Sequence, residues 1–377
     1  MRTLERITVT GYKSIRELRD FELGDVNVLI GANGTGKSNF LSVFKLLKSI
    51  FDRTLQVAVT NSGGADNLLY FGRKTTDEIL LRLYFDTGRT FPPLHDNGQR
   101  RKEKGLYSIY LAPTQQESLQ IVKEIGDIFI FPDYDPIPPV TFAEGKLETG
   151  IYESQQPFMP RLMNFLPTHG VFHFEDTGEN AKVKQNADIY DNHKLKSDAR
   201  NLASFLYLLK NHHQVYYKRI LQTVQLAAPF FNDFVLNPMP ENAQRIRLRW
   251  LHKNSEDDFD ISQLSDGTLR FICLTTLLLQ PNPPSLIIID EPELGLHPAA
   301  IQLLIEMLRS AATHSQIIIS TQSVEMVNHF LPEEIIVVDR EKDESVFHRK
   351  SAKELEAWLD EYSMGELWQM NVIGGRP

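Results

Sequence analysis

An eight-residue glycine-rich segment, GANGTGKS at residues 31–38, separates an apolar run from a helical pattern. The apolar run, VNVLI at residues 26–30, reads as a short strand, and after Ser38 the apolar residues recur at helical spacing. A segment of the form G-x-x-x-x-G-K-[ST] in this setting holds phosphate, because its glycines let backbone N–H groups converge and the helix N-terminus adds partial positive charge. The sequence therefore predicts an α/β fold that binds a phosphorylated ligand at this loop.

The residue types in the loop assign separate tasks to its members. Lys37 is expected to reach the β- and γ-phosphates of a nucleoside triphosphate, and the Ser38 hydroxyl to ligate Mg²⁺. A glycine turn without a ligand would not explain the Lys-Ser pair. We predict that these residues contact the nucleotide: Asn33, Gly34, Thr35, Gly36, Lys37, Ser38 and Asn39.

Two adjacent carboxylates, Asp290 and Glu291, follow the apolar run LIII. They would lie at the end of a buried strand, where α/β sheets bind their ligands. Asp290 is expected to hold Mg²⁺, directly or through water, and Glu291 to orient and deprotonate the attacking water. An acidic helix cap is the alternative reading. Together with the phosphate loop, this pair predicts a nucleoside triphosphatase in which Lys37 and Glu291 are catalytic.

Apolar patterns elsewhere predict the organisation of the chain. Short β-like runs between residues 78 and 150 indicate an antiparallel subdomain, and residues 198–228 have helical periodicity with Asp198 as a candidate N-cap. The runs SLIIID (285–290) and QIIIS (316–320) are apolar on both faces, as in central parallel strands. No sustained heptads occur, so no coiled-coil arms are expected.

Composition limits the function classes. The net charge of −9 gives no general attraction to nucleic acid, so any such contact must come from a local basic patch. No apolar stretch approaches the length of a membrane span, and the N-terminal residues lack a secretory apolar region. The single cysteine, Cys273, lies in an apolar run and is expected to be a buried core residue. We expect a cytoplasmic protein without membrane association.

Two basic stretches leave alternatives open. The link NGQRRKEKG (97–105) is either a solvated hairpin tip or a contact for nucleic acid or a partner. In RIRLRW (245–250), a strand would show Arg245, Arg247 and Arg249 on one face, either as a solvated edge or as a binding face.

A third motif, LSDGTLR at residues 264–270, resembles the LSGGQ-type signature of ABC ATPases in the form found in SMC and RecF-like relatives. Further motifs extend the likeness over nearly the whole chain: TGYKSI, GANGTGKSN, FHFEDT, IIIDEPELGLHP, STQS and GELW…NVIGGRP. The chain resembles the bacterial RecF/SMC-type, ABC-class ATPases of the group described as predicted AAA-family ATPases.

This resemblance implies an α/β P-loop ABC-type ATPase head. It would have a mixed central sheet, an antiparallel β subdomain and a helical lobe, without coiled-coil arms. We expect the phosphate-loop lobe with the β subdomain at 1–180, a helical insert at 181–262, and the signature and acidic-pair lobe at 263–345. A tail at 346–377 either packs on the core or docks a partner.

The resemblance also implies ATP and Mg²⁺ as cofactors and a homodimer that closes around two ATP molecules. In such a dimer Ser265, Asp266 and Gly267 would contact the ATP of the other subunit. Gln322 occupies the position where relatives commonly carry a switch histidine, and is assigned a catalytic role. Because glutamine cannot carry a proton as imidazole does, turnover is expected to be slow.

The function implied is that of an ATP-dependent regulator or sensor acting with an effector, suspected to be a nuclease, in a DNA-linked process such as phage defence or DNA repair. Only 37 residues follow residue 340, too few for the nuclease domain of related heads, so the effector would be a separate chain. Two alternatives remain: the energy-coupling subunit of a membrane transporter, and an ATP-gated module that binds DNA ends.

Overall fold

The computed structural model of this 377-residue chain describes residues 3–92, 100–131, 139–160, 162, 169–172, 174 and 176–376. Residues 97–99 of the basic link, and His173 and Glu175 of the FHFEDT motif, lie outside the described residues.

Strands in the described residues are these: β1 Thr3–Tyr12, β2 Ile15–Glu22, β3 Val26–Ile30, β4 Ile79–Phe91, β5 Arg101–Pro113, β6 Leu119–Phe131, β7 Val140–Lys146, β8 His169–Phe172, β9 Ala187–Asp188, β10 Phe231–Val235, β11 Pro238–Met239, β12 Asn242–Ile246, β13 Arg249–His252, β14 Asp258–Asp260, β15 Leu286–Asp290, β16 Gln316–Ser320, β17 Ile335–Glu341 and β18 Glu344–His348. The α-helices are α1 Lys37–Phe51, α2 Leu55–Asn61, α3 Leu202–His212, α4 Gln214–Ala227, α5 Asp266–Leu279, α6 Pro298–Ala311, α7 Val324–Val327, α8 Ala352–Leu359 and α9 Met364–Gln369.

The central sheet is mixed and has the strand order β18-β17-β3-β16-β15-β8. Neighbouring strands are parallel except β17 and β18, which form an antiparallel hairpin at one edge. Strands β15 and β16 are covered on both faces by other elements of the fold. Their continuous isoleucine runs follow from this burial. The mixed central sheet predicted from the sequence is confirmed.

Two hydrophobic cores lie on opposite faces of this sheet, because successive side chains of a strand point to opposite faces. Ile288 and Ile318 face α1 and the antiparallel sheet, whereas Ile287 and Ile317 face α3 to α6. Helix α1 buries the apolar face predicted from its spacing, with Phe40, Val43, Phe44, Leu47 and Phe51 among its buried residues. The phosphate-loop helix is therefore fixed between two sheets.

The antiparallel sheet has the order β2-β1-β4-β5-β6-β7 and confirms the predicted β subdomain. The expectation for its basic link was wrong for residues 101–105, which belong to β5 and not to a solvated tip. Glu103 and Lys104 are buried there, and the Lys104 ammonium donates to Asp86 at 3.1 Å and also to Glu5. Paired charges, which a composition count reads as surface, thus lie inside the sheet.

The helical lobe differs from its predicted outline in two ways. Asp198 does not cap a helix: α3 begins at Leu202, while the Asp198 carboxylate accepts hydrogen bonds from Arg200. The single periodic stretch is two helices, because the backbone at His213 leaves the helical region between α3 and α4. Periodicity located the apolar face but not the break.

The stretch RIRLRW is also two strands, β12 and β13, which belong to different three-stranded sheets. Its alternation holds nonetheless: Ile246, Leu248 and Trp250 are buried, and the arginines between them are exposed. Arg247 forms an ion pair with Asp260 at 2.6 Å, and Arg249 pairs with Asp258. Two of the three arginines therefore already have acidic partners.

The last part of the chain folds back on the core. Leu367 and Trp368 of α9 are fully buried, and Ile373 is 1% exposed. The Trp368 indole N–H donates to the carbonyl of Gly375, and the Gly375 amide donates to Asp339 at 2.9 Å. The hairpin strand β18 was not predicted, and it spans the proposed segment boundary at 345/346. The four segment boundaries themselves stay a prediction.

The longest helix among the described residues, α1, has 15 residues. Within the described ranges no coiled-coil arm is present, as predicted. The same part of the chain contains no helix long and apolar enough to cross a membrane.

Candidate functional site

Three loops meet at the carboxyl edge of the central sheet because β3, β16 and β15 are parallel neighbours. Ser320, at the end of β16, is paired with Asp290 on one side and with Leu29 on the other. The phosphate loop, the STQS segment and the acidic pair therefore leave the sheet side by side. This edge is where α/β sheets bind their ligands.

The phosphate loop adopts a conformation that its glycines permit. Gly31, Gly34 and Gly36 have φ values of 150°, 81° and 116°, which disfavour residues with a Cβ. A Cβ at Gly31 would overlap the Val338 carbonyl, and one at Gly36 would overlap the Ser345 hydroxyl. The glycine spacing is thus required by contact with the β17–β18 hairpin as well as by the turn.

Lys37 is buried at the base of this loop, and its ammonium donates to the carbonyls of Gly31 at 2.5 Å and Ala32 at 3.0 Å. Burial lowers the pKa of Lys37, while the negative charges of Glu291, Asp290 and Glu293 act in the opposite direction. A polyphosphate would favour the charged ammonium in the same way as these carboxylates. The position suits the predicted contact with the phosphates.

The carbonyls of the phosphate loop accept hydrogen bonds from residues that the sequence did not single out. The Ser345 hydroxyl donates to the Thr35 carbonyl at 2.5 Å, and Arg340 donates to the Gly34 carbonyl at 3.2 Å. The Asn39 side chain, predicted to contact nucleotide, donates to the Ser14 hydroxyl at 2.7 Å. No local motif marks Ser345 or Arg340, because their contacts join positions about 310 residues apart.

The predicted Mg²⁺ ligands, Ser38 and Asp290, provide one exposed hydroxyl and one carboxylate. Asp290 accepts a hydrogen bond from Ser320, whereas Ser38 has no side-chain partner among the described residues. No group of three His, Cys, Asp or Glu side chains suited to a metal occurs in the part of the chain that the structure describes. These donors fit Mg²⁺, which is commonly held by one or two carboxylates together with substrate phosphates.

Glu291 and Gln322 are in direct contact: the Gln322 side-chain amide donates to a Glu291 carboxylate oxygen. Glu291 has a left-handed backbone with φ of 42°, and its amide donates to the Ser320 carbonyl at 3.1 Å. Such a conformation costs free energy in a residue with a Cβ and is often found at active sites. The structure therefore brings together two side chains that are 31 positions apart in the sequence.

Glu293 is a further acidic residue at this edge, and sequence reasoning did not select it. One carboxylate oxygen accepts from the Thr321 hydroxyl and from the backbone amide of Gln322, the latter at 3.2 Å. The other oxygen is buried and has no hydrogen-bond partner among the described residues. Burial raises the pKa of this carboxyl, and the charge of Glu291 raises it further. Glu293 thereby ties the loop after β15 to the loop after β16.

The signature segment begins α5. Ser265 is the N-cap residue, and its hydroxyl accepts from the Thr268 amide at 3.2 Å. Ser265 and Asp266 are exposed. The amides and the hydroxyl at such a helix N-terminus can donate hydrogen bonds to a phosphate, so this exposed end of α5 can bind an anion.

The signature helix packs on the loop that follows the acidic pair. A Cβ at Gly267 would overlap the Gly295 carbonyl, so the two backbones approach closely. Arg270, which is buried, donates to the carbonyls of Leu294 at 2.6 Å and Phe174 at 3.1 Å. The signature and the residues after Glu291 thus form one contiguous surface.

Comparison with known proteins identifies the family and the fold. The profile of a family described as "AAA domain, putative AbiEii toxin, Type IV TA system" (AAA_21) matches residues 26–328. No curated protein sequence is detectably similar to the chain. Among solved structures, an Smc head bound to the C-terminal winged-helix domain of ScpA is similar, with a TM-score of 0.60 and 15% identity over 93% of this chain and 99% of that one.

A second Smc head, with an extended coiled coil and bound to the C-terminal domain of ScpA from Pyrococcus furiosus, is similar to the same degree. Its TM-score is 0.60 at 14% identity, over 96% of this chain and 99% of that chain. At these identities the likeness shows the fold. Because the family profile spans most of the chain, the protein belongs to this AAA family and has the fold of an ABC/SMC-type P-loop ATPase head.

Proposed function

We propose that the chain binds ATP with Mg²⁺, dimerises around two ATP molecules and hydrolyses them slowly, as a regulator or sensor that acts with a separate effector. The observation that carries this proposal is the meeting of Lys37, Asp290, Glu291 and Gln322 at one edge of the central sheet. This edge is where α/β sheets bind their ligands, and the matching family profile is that of an AAA domain.

Each side chain has a distinct part in the proposed reaction. Lys37 and the amides of the phosphate loop bind the β- and γ-phosphates, and Ser38 and Asp290 hold Mg²⁺, which offsets phosphate charge. Glu291 orients the attacking water and accepts its proton, since phosphoryl transfer depends mainly on positioning and electrostatics.

Gln322 sets the proposed rate. Its amide holds one oxygen of Glu291, so the base is oriented by a neutral neighbour. An amide can hydrogen-bond water or phosphate but cannot take up a proton in turn. Slow hydrolysis suits a protein whose ATP-bound state lasts long enough to signal to a partner.

The dimer is supported by the exposure of the signature. Ser265 and Asp266 face solvent, and the helix N-terminus behind them is free to accept a phosphate. In the proposed dimer Ser265, Asp266 and Gly267 meet the ATP held by the other chain's phosphate loop. Arg270 and the Gly267–Gly295 contact would keep this surface rigid.

The effector and the process are proposed from the family and its structural relatives. The family description names a toxin of a type IV toxin–antitoxin system, which favours a role in defence. Both similar Smc heads were crystallised with a second protein, which favours a head that works through a partner. We propose a nuclease as the effector and phage defence as the process, with DNA repair as the related possibility.

Direct DNA binding through Arg245, Arg247 and Arg249 is the less favoured alternative. Asp260 and Asp258 already neutralise Arg247 and Arg249, which reduces the attraction of this face for phosphates. No observation specifically favours a transporter subunit.

The nucleotide site is tested by Lys37→Ala. Removing the buried ammonium deletes the principal phosphate contact, so ATP affinity is expected to fall at least about 100-fold, equivalent to about 2.7 kcal/mol. Equilibrium titration with a fluorescent ATP analogue measures this, and circular dichroism controls for folding. Unchanged affinity in a folded variant would remove the proposed role of the loop.

A further inference from the structure

A nearly buried lysine stands beside the signature helix without a hydrogen bond. Lys184 ends a short 3-10 helix, Lys182–Lys184, and its side chain is only 8% exposed. Its ammonium lies 3.7 Å from Oδ1 of Asp266, which is too long for a hydrogen bond. Within the described ranges this ammonium has no hydrogen-bond partner. Burying a charge in this way is costly unless a ligand supplies the missing contacts.

The surroundings of Lys184 favour an anion. A cavity of about 390 Å³ opens beside it and is lined by Lys184, Arg245 and Arg247, by three side-chain amides and by a single carboxylate, Glu179. Arg247 is paired with Asp260, so that among the described residues Lys184 and Arg245 are the cations that line the cavity without a short ion pair. A negatively charged group would gain from both of them.

The position of Lys184 relates this anion preference to the signature. Asp266 is the first residue of α5, directly after the N-cap Ser265, so the Lys184 ammonium lies next to the helix N-terminus. Asp266 is 69% exposed and carries a negative charge at the place where a phosphate would have to approach. An isolated carboxylate there would repel the phosphate, and a neighbouring ammonium offsets this repulsion.

We propose that Lys184 donates to the terminal phosphate of the ATP bound by the second subunit, and that Asp266 holds the lysine beside the signature until that phosphate arrives. This inference rests on the proposed function, since it needs a two-chain ATP site. A charge-assisted hydrogen bond from Lys184 would stabilise the charge on the transferring phosphoryl group from the opposite subunit.

Lys184→Met tests the proposal, because methionine is of similar length and removes only the charge and the donors. We expect ATP hydrolysis to fall at least about tenfold, while binding of ATP to the variant's own phosphate loop is unchanged. Lys184→Arg should retain part of the activity. Lys182→Met is the matched control: Lys182 lies two residues away, is 59% exposed and pairs with Asp198, so hydrolysis should not change.

Mixing two impaired variants shows whether Lys184 acts across the dimer. Chains with Lys184→Met keep an intact phosphate loop, and chains with Lys37→Ala keep an intact signature side. Their mixture should hydrolyse ATP faster than either variant does alone, since each mixed dimer has one complete site. A mixture of Ser265→Arg with Lys37→Ala is the reference for the two-chain site.

The outcomes separate the inference from the proposed function. If the Ser265→Arg mixture is active and the Lys184→Met mixture is not, the lysine does not act in trans and the inference is wrong. Wild-type hydrolysis by Lys184→Met would also overturn it. If neither mixture is active, the composite site itself fails, and the inference fails with it.

Discussion

At the scale of single residues, the acidic side chains of the site are each held by a residue at the end of the neighbouring strand or in the loop after it. Gln322 holds Glu291, Ser320 donates to Asp290, and Glu293 accepts from the backbone of Gln322. These contacts join the ends of β15 and β16, so a small shift between the two strands would change several of these distances together. The geometry around Glu291 therefore depends on the register of the sheet.

The sole cysteine gives a residue-scale test of the core. Cys273 is 2% exposed, and burial raises the pKa of its thiol to about 12, with a smaller opposing effect from Arg270. Since the thiolate is the reactive form, the folded protein is expected to resist thiol reagents at pH 8. A colorimetric disulfide reagent should modify the thiol readily only after denaturation. Modification of the native protein at the denatured rate would contradict the burial.

The sequence was sufficient to identify these reactive residues but not their supports. Motif spacing selected Lys37, Asp290, Glu291 and Gln322, and the structure brings them together, although their roles stay predictions. Glu293 was missed because a glutamate in a turn carries no signal of its own; its importance follows from its contacts with Thr321 and Gln322. Long-range partners are set by packing, which a local pattern does not report.

At the scale of elements, the phosphate loop is supported by the β17–β18 hairpin. Ser345 and Arg340 bind loop carbonyls, and Gly36 lies against the Ser345 hydroxyl. This hairpin is on the edge of the central sheet, so movement of the edge would shift the phosphate loop directly. The second strand of the hairpin, with the sequence ESVFH, was not predicted, since it has too few apolar residues to stand out.

Two glycine substitutions test this support in the absence of nucleotide. Gly34→Ala meets no atom within 4 Å, so only its φ of 81° is unfavourable, at about 1–2 kcal/mol. Gly36→Ala has φ of 116° and in addition overlaps Ser345, which adds about 1–3 kcal/mol. Chemical denaturation should therefore show a clearly larger loss for Gly36→Ala. Equal losses would indicate that the hairpin does not restrain the loop.

The tail provides a second matched pair of variants. Trp368 is fully buried, whereas Trp358 on α8 is 43% exposed. Trp368→Ala is expected to reduce the free energy of unfolding by about 3–5 kcal/mol, and Trp358→Ala by less than about 1 kcal/mol. Thermal and denaturant unfolding of both variants measures the difference. A small effect of Trp368→Ala would mean that the tail is not part of the folded core.

Elements with strong apolar patterns were the ones that sequence reasoning placed well. Strands β3, β15 and β16 were located to within about a residue and helix α1 to within about two residues, because burial on one or both faces leaves a clear period. The break at His213 and the division of RIRLRW into β12 and β13 were missed. Each depends on a local backbone turn inside a pattern whose alternation or period continues unchanged.

At the scale of the whole molecule, the central sheet separates two cores and carries the nucleotide loops on one edge. The signature surface, with Ser265 and Asp266 exposed, belongs to the core on the other side of the sheet from α1. A single chain therefore presents a phosphate loop and, apart from it, an exposed helix N-terminus. In the proposed dimer each ATP site would use one of each.

The most direct measurement of this dimer is the mass of Glu291→Gln in solution with and without ATP and Mg²⁺. Glutamine keeps the shape of the side chain but cannot accept the proton of the attacking water, so ATP stays bound. Analytical ultracentrifugation at micromolar protein should give twice the monomer mass with ATP and the monomer mass without it. The double variant Glu291→Gln, Lys37→Ala should remain a monomer in the presence of ATP. A variant that binds ATP and sediments as a monomer would contradict the account.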